Sequence, residues 1–143
     1  MTARIICVGN RFVDGDDTGP QVYDRLSHMA LPPDVDIVDG GLLGLNLLRF
    51  AEGADRLVFV DSVSGFGREG EVLVLDAMEA ADGMAASYGH SCGLAYLLRV
   101  LPEVCEEGMP QVLLVGVEGS ATEPMISRAA DISIKLAEGE KGL

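Results

Sequence analysis

Basic residues are scarce in this sequence. Lys and Arg together number 10 against 23 Asp and Glu, and the formal net charge is −13 at pH 7. Nucleic-acid backbones and anionic membranes repel so acidic a chain, and we therefore expect neither as a partner. A metal ion or a protein with a basic surface is favoured instead.

Cysteine and long apolar runs are also scarce. The three cysteines, Cys7, Cys92 and Cys105, make an odd number without CxxC spacing, which predicts neither a disulfide framework nor a zinc knuckle. We interpret Cys7 and Cys105 as small buried residues. The apolar runs are too short to cross a bilayer, and residues 1–4 lead into a predicted strand without a signal-peptide pattern. We expect a cytoplasmic protein and, since nothing indicates an oligomer, a monomer.

Apolar residues are plentiful enough for one folded domain over residues 1–143. They make up 48% of the chain, and the mean hydropathy is +0.28. Their spacing predicts strands at residues 4–8, 35–38, 56–60, 71–75 and 111–117. Helices are predicted at residues 22–29, 44–52, 91–104 and 125–137, and a loop with a helical turn at 76–89.

The alternation of strands and helices predicts a three-layer α/β/α fold, with a mostly parallel sheet between helices. The third and fourth strands are joined by residues 62–70 alone, which is too short for a helical crossover. The fourth strand is therefore predicted to run antiparallel to the third.

An acidic loop follows the first strand. It carries Asp14, Asp16 and Asp17 between Gly9 and Gly19. In an open α/β sheet, ligands bind at the carboxyl ends of the strands, and a bound cation would relieve the repulsion between these acids. The sequence therefore predicts a cation site at this edge.

Two further residues are predicted to meet the acidic loop. Asp61 ends the third strand, which right-handed crossovers place beside the first, and His90 precedes the third predicted helix. Two carboxylates and one imidazole form a mixed oxygen and nitrogen site, which suits Zn, Ni or Co better than Mg or Ca.

Each of these residues also has a structural interpretation. Asp16 and Asp17 are suited to complement the dipole of the first helix, Asp61 to cap a turn, and His90 to lie in a hydrogen-bonded loop. His28, late in the first helix, is interpreted as structural. Cys92 is too close to His90 in sequence for an obvious nucleophilic pair.

Taken in order, six motifs resemble those of the nickel-iron hydrogenase maturation endopeptidases. They span the first strand to the last helix and are Gly9-Asn10 with Asp16 and Gly19, Asp39-Gly40-Gly41, Gly44-Leu45-Asn46-Leu47-Leu48, Leu57-Val58-Phe59-Val60-Asp61, His90-Ser91-Cys92-Gly93-Leu94, and Val115-Gly116-Val117 with Glu123-Pro124. One departure is that the family has an acidic pair followed by Gly, where this chain has Gly15-Asp16-Asp17-Thr18. Spacing from Asn10 and from Gly19 selects Asp16, and Asp17 is the substitute ligand if the loop bulges.

The resemblance implies a phosphorylase/hydrolase-like fold with strand order 2-1-3-5-4. It also implies an endopeptidase that removes the C-terminal extension of a nickel-iron hydrogenase large-subunit precursor after nickel insertion. Asp16, Asp61 and His90 would be its catalytic and metal-binding residues, with nickel supplied by the precursor and Zn or Cd able to occupy the site in vitro. Asn10, Gly40 and Gly41 would orient the substrate tail or the acidic loop.

Three other function classes were weighed. A response-regulator receiver domain needs a Lys after its last strand, where this chain has Glu118, and its fourth strand runs the other way. A flavodoxin-like cofactor binder needs a phosphate loop, which three acids would disfavour. A non-catalytic nickel-binding or partner-binding chaperone on the same fold stays open.

Overall fold

The computed structural model describes residues 2–41, 44–86, 92–105 and 110–139. Its elements are β1 (Ala3–Val8), α1 (Thr18–Leu26), β2 (Val35–Gly41), a 3₁₀ helix (Gly44–Phe50), β3 (Arg56–Val63), β4 (Val72–Asp76), α2 (Ala77–Ala86), α3 (Cys92–Val104), β5 (Gln111–Glu118) and α4 (Glu123–Ala137). Within these residues the strands form one five-stranded sheet of order β2-β1-β3-β5-β4. β4 pairs antiparallel with β5 and the other pairs are parallel, which confirms the predicted order and direction.

The sheet lies between two apolar layers because alternate residues of each strand point to opposite faces. One face packs under α1 and α4, and its buried strand residues include Ile5, Cys7, Val58, Val60 and Val115. The other face packs under the 3₁₀ helix, α2 and α3, and includes Ile6, Leu57, Phe59, Val63 and Leu114. Burial of each such side chain stabilises the fold by about 1.5–3 kcal/mol.

The first helix begins and ends earlier than its apolar spacing predicts. It spans Thr18–Leu26 because Pro20 is compatible with a helix start, where the missing N–H costs nothing. Beyond Leu26, the Ser27 hydroxyl donates to the Asp24 carbonyl at 2.7 Å and the His28 ring contacts the same oxygen at 2.7 Å. The last backbone bonds, from His28 N–H to the Arg25 carbonyl and from Met29 N–H to the Leu26 carbonyl, span three residues instead of four, so the α-helix ends here.

Residues 77–86 form α2, where a loop with a helical turn was expected. Asp76 caps this helix by accepting a hydrogen bond from the Glu79 backbone N–H at 2.8 Å. Ala80 and Ala81 are buried, because small side chains let α2 pack close to its neighbours. The expected loop was therefore wrong for residues 77–86.

No helix in the described ranges is long and apolar enough to cross a membrane.

Candidate functional site

The loop between β1 and α1 is closed by its own backbone. Asn10 N–H donates to the Asp16 carbonyl at 2.8 Å, and Asp16 N–H donates to the Val13 carbonyl at 3.0 Å. The Asn10 side-chain oxygen also accepts from the Phe12 N–H at 2.9 Å. In the structure, Asn10 therefore holds the acidic loop, one of the two orienting roles predicted for it.

Close approach between β1, the loop and α1 requires glycine at both ends of the loop. A methyl group on Gly19 would lie 2.0 Å from the Val8 carbonyl oxygen, and one on Gly9 would lie 2.4 Å from the Asp16 carbonyl oxygen. Gly9 also has a φ of 148°, which side chains disfavour. These contacts set α1 directly on the end of β1 and fix where Asp16 lies.

The end of β2 supports the same loop. Gly9 N–H donates to the Gly41 carbonyl oxygen at 3.1 Å. A methyl group on Gly40 would lie 3.1 Å from the Cys7 carbonyl oxygen, which leaves little room for a side chain. Gly40 and Gly41 therefore lie where they position the loop. Arg11 adds a tie by donating to Asp24 at 2.6 and 3.1 Å and to Asp39 at 3.4 Å.

The three acids of the loop have different environments. Asp16 is buried, with 7% of its surface exposed. Asp17 is half-buried and accepts a hydrogen bond from the Gln21 side-chain amide at 2.9 Å, while Asp14 is exposed. Asp16 therefore differs from Asp14 and Asp17 in being buried, while its selection over Asp17 as the ligand stays a prediction.

Asp61 lies beside this loop, inside β3. The strand was predicted to end there, but its pairing with β5 continues to Val63. Its pairing with β1 stops at Val60, which lies opposite Cys7, so Asp61 is the first residue of β3 beyond the last β1 pair and is level with Val8, the last residue of β1. It is buried, and its Oδ1 accepts a hydrogen bond from the Ser62 N–H at 2.8 Å.

Burial and then the nearby charge of Asp16 raise the pKa of Asp61 well above its ordinary value, and the Ser62 N–H offsets part of this shift. The structure thus brings together two of the three predicted metal-site residues. Two carboxylates close together repel each other, and a bound cation would relieve this repulsion. Such a pair is suited to general acid–base chemistry and to metal binding.

The third predicted residue, His90, lies outside the described residues. Among those described, no group of three or more His, Cys, Asp and Glu side chains is arranged to hold a metal ion. Of the three predicted ligands, the structure describes the two carboxylates. These fit a divalent cation that brings other ligands with it.

Two polar residues near this edge were missed in the sequence. Thr18 is fully buried, and its hydroxyl has no hydrogen-bond partner in the described part of the chain. Glu118 is 7% exposed and accepts from the backbone N–H groups of Gly65, Phe66 and Gly67 at 3.2, 2.8 and 2.9 Å. A glutamate ending an apolar strand opposite a glycine-rich loop is the signal that predicts such a contact.

Comparison with known proteins agrees with this architecture. The solution structure of an endopeptidase from Escherichia coli superposes with a TM-score of 0.81 at 26% identity, covering 99% of this chain and 96% of that one. The [NiFe] hydrogenase maturation protease HybD from Thermococcus kodakarensis has a TM-score of 0.75 at 19% identity, covering 96% and 99%. This second likeness supports the fold.

The sequence comparisons are more specific. The hydrogenase 2 maturation protease of Escherichia coli (strain K12) is 30% identical over 129 residues, which cover 88% of this chain and 78% of that protein. The HycI hydrogenase maturation protease model matches residues 20–138, from the start of α1 to the end of α4. This match takes in the strand that carries Asp61, and it shows that the chain belongs to the hydrogenase maturation protease family.

Proposed function

We propose that this chain is an endopeptidase that removes the C-terminal extension of a nickel-iron hydrogenase large-subunit precursor after nickel has been inserted. The observation that carries the proposal is the buried pair of Asp16 and Asp61 at the carboxyl edge of the sheet. Two buried acids of like charge are costly to the fold unless a cation or a proton is bound between them.

Nickel enters this scheme as part of the substrate. Asp16 and Asp61 would engage the nickel already bound in the precursor, and His90 would supply the third ligand. Asp61 is on the face of β3 that also buries Phe59 and Val63, which is the face covered by α3. In the sequence, His90 is two residues before Cys92, the first residue of α3.

The bound nickel would polarise the scissile carbonyl or activate a water molecule. Asp61 is suited to a second role on the same substrate. In that role the Asp61 carboxylate would take a proton from the attacking water as a general base. Because Asp16 and Asp61 engage the precursor through its nickel in this scheme, a nickel-free precursor is not cut, and the reaction belongs in the cytoplasm, where the precursor is matured.

The experiment is to mix the protein with nickel-loaded and nickel-free large-subunit precursor and to weigh the products by intact mass spectrometry. We expect loss of a C-terminal peptide from the loaded precursor alone. Asp16→Asn should abolish this loss. Asp14→Asn, an exposed acid in the same loop, is the matched control and should process normally.

Two results would contradict the proposal. Cleavage of the nickel-free precursor at the same rate would remove the metal from recognition. Binding of the loaded precursor without cleavage would instead identify a nickel-binding chaperone on this fold.

A further inference from the structure

The acidic loop carries an apolar tip made of Phe12 and Val13. Of the described residues, the large hydrophobic side chains that are exposed are Phe12 at 93%, Val13 at 41% and Met78 at 60%. A single exposed hydrophobic residue is ordinary on a protein surface. Phe12 and Val13 differ because they are adjacent, and because they lie on the loop that positions Asp16.

The tip is held in place by polar contacts on both sides of Phe12. Its own N–H donates to the Asn10 side chain, and Val13 N–H donates to the Asn10 carbonyl at 3.2 Å. Arg11, the preceding residue, is paired with Asp24 on α1. An aromatic side chain on such a preorganised loop loses little conformational entropy when a partner buries it.

The charges around the tip indicate the chemistry of the partner. Asp14 follows Val13 and is exposed, and the guanidinium of Arg11 is already paired with Asp24 and Asp39. The tip is therefore an apolar projection in an acidic surface. The complementary surface is an apolar pocket bordered by Lys or Arg.

We propose that the Phe12–Val13 tip is a docking anchor that inserts into an apolar pocket with a basic rim on the hydrogenase large-subunit precursor. This inference rests on the proposed function for the identity of the partner. Binding the tip there would bring the adjacent Asp16 against the precursor, since both residues belong to one closed loop. Aromatic anchors of this kind carry a large share of the binding energy in protein interfaces.

The test compares Phe12→Ser and Phe12→Leu with wild type in the full-length protein. Met78→Ser is the matched control, because Met78 is exposed but follows the end of β4, which pairs with the beginning of β5. It therefore lies towards the amino ends of the parallel strands, whereas Asp61 lies towards their carboxyl ends. Biolayer interferometry measures the affinity for the nickel-loaded precursor. Mass spectrometry measures the KM and the maximal rate of processing.

We expect Phe12→Ser to weaken precursor binding and raise KM by at least about tenfold, with an unchanged maximal rate. Phe12→Leu, which keeps an apolar side chain, should retain most of the affinity, and Met78→Ser should match wild type. Equal binding by Phe12→Ser and wild type would overturn the inference, as would a loss confined to the maximal rate.

Failure of the proposed function gives a different pattern. If wild type binds the loaded precursor without cutting it, the endopeptidase proposal fails, and the ratio of affinities between wild type and Phe12→Ser still decides the docking anchor. If wild type neither binds nor cuts the precursor, both are overturned.

Discussion

Asp61 lies one residue beyond the last pair between β1 and β3, and burial followed by the charge of Asp16 raises its pKa. The two acids come from separate loops and strands, yet the parallel pairing of β1 with β3 brings them to one place. Burial of two acids close together disfavours the folded state, and the proposed function makes the same two acids cation ligands. Stability and function should therefore respond in opposite directions to changes at Asp61.

Asp61→Asn should stabilise the protein and abolish processing. The folded protein binds the Asp61 proton more tightly than the unfolded chain does, so stability falls as the pH rises from about 3.9 towards the raised pKa. The amide keeps an acceptor for the Ser62 N–H without the buried charge. We expect a gain of about 1 kcal/mol, or about 3 °C in Tm, at pH 7. Thermal denaturation at several pH values checks this, and the gain should vanish near pH 4.

His90→Ala should abolish precursor processing and leave Tm unchanged. If the imidazole is a metal ligand, the affinity for Zn or Cd, which we expect to bind weakly at one site, should fall at least about tenfold. His28→Ala is the matched control because His28 is exposed and contacts only the end of α1 in the described structure. Isothermal titration with Zn and the mass-spectrometric assay provide the measurements. Normal processing by His90→Ala would remove this residue from the site.

Gly19→Ala should destabilise the fold by at least about 3 kcal/mol, because the added methyl would lie 2.0 Å from the Val8 carbonyl oxygen. Gly15→Ala is the comparison in the same loop. Gly15 has a φ of 84° but no atom within 4 Å of the added methyl, so this change should cost only about 1–2 kcal/mol of backbone strain. Urea denaturation measures both. Similar losses in the two variants would contradict the close approach of α1 to β1.

Glu118→Ala should loosen the loop between β3 and β4 without unfolding the sheet. It removes the acceptor of three backbone N–H groups, those of Gly65, Phe66 and Gly67, and should cost about 2–3 kcal/mol. Hydrogen exchange at these three amides should accelerate while exchange in β1 and β3 stays slow. Glu71→Ala is the control, since Glu71 is exposed and accepts from one loop N–H, that of Arg68. Unchanged exchange at Gly65 to Gly67 would show that other contacts hold the loop.

The sequence was sufficient for the direction of β4, and the resemblance to the family implied the full strand order. The short connection between Val63 and Val72 leaves no room for a crossover helix, so β4 must run antiparallel to β3. The pairing of Asp16 with Asp61 also follows from topology, because parallel neighbours end at the same edge of the sheet. For these features, chain length and connectivity leave few alternatives.

Other features depend on packing that apolar spacing does not encode. α2 was missed because its buried residues, Ala80 and Ala81, give a weak apolar pattern, although Asp76 and Glu79 have the spacing of a helix cap. The extension of β3 to Val63 was missed because Asp61 and Ser62 are polar, while their backbones are held by β5. In the sequence, Glu118 served only as evidence against a phosphate site. Its contact with the loop between β3 and β4 was missed because its partners are backbone groups far away in the chain. The catalytic and metal-binding roles of Asp16, Asp61 and His90, and the oligomeric state, stay predictions.

The direction of β4 has a practical consequence. β4 runs antiparallel to β5, so the chain has returned towards the amino ends of the parallel strands when α2 begins. The exposed Met78 is therefore remote from the acidic loop, which lies at their carboxyl ends. A fluorophore or a biotin tether attached there would leave the carboxyl edge unobstructed. Single molecules of the protein could then be immobilised in one orientation while precursor association is observed in real time.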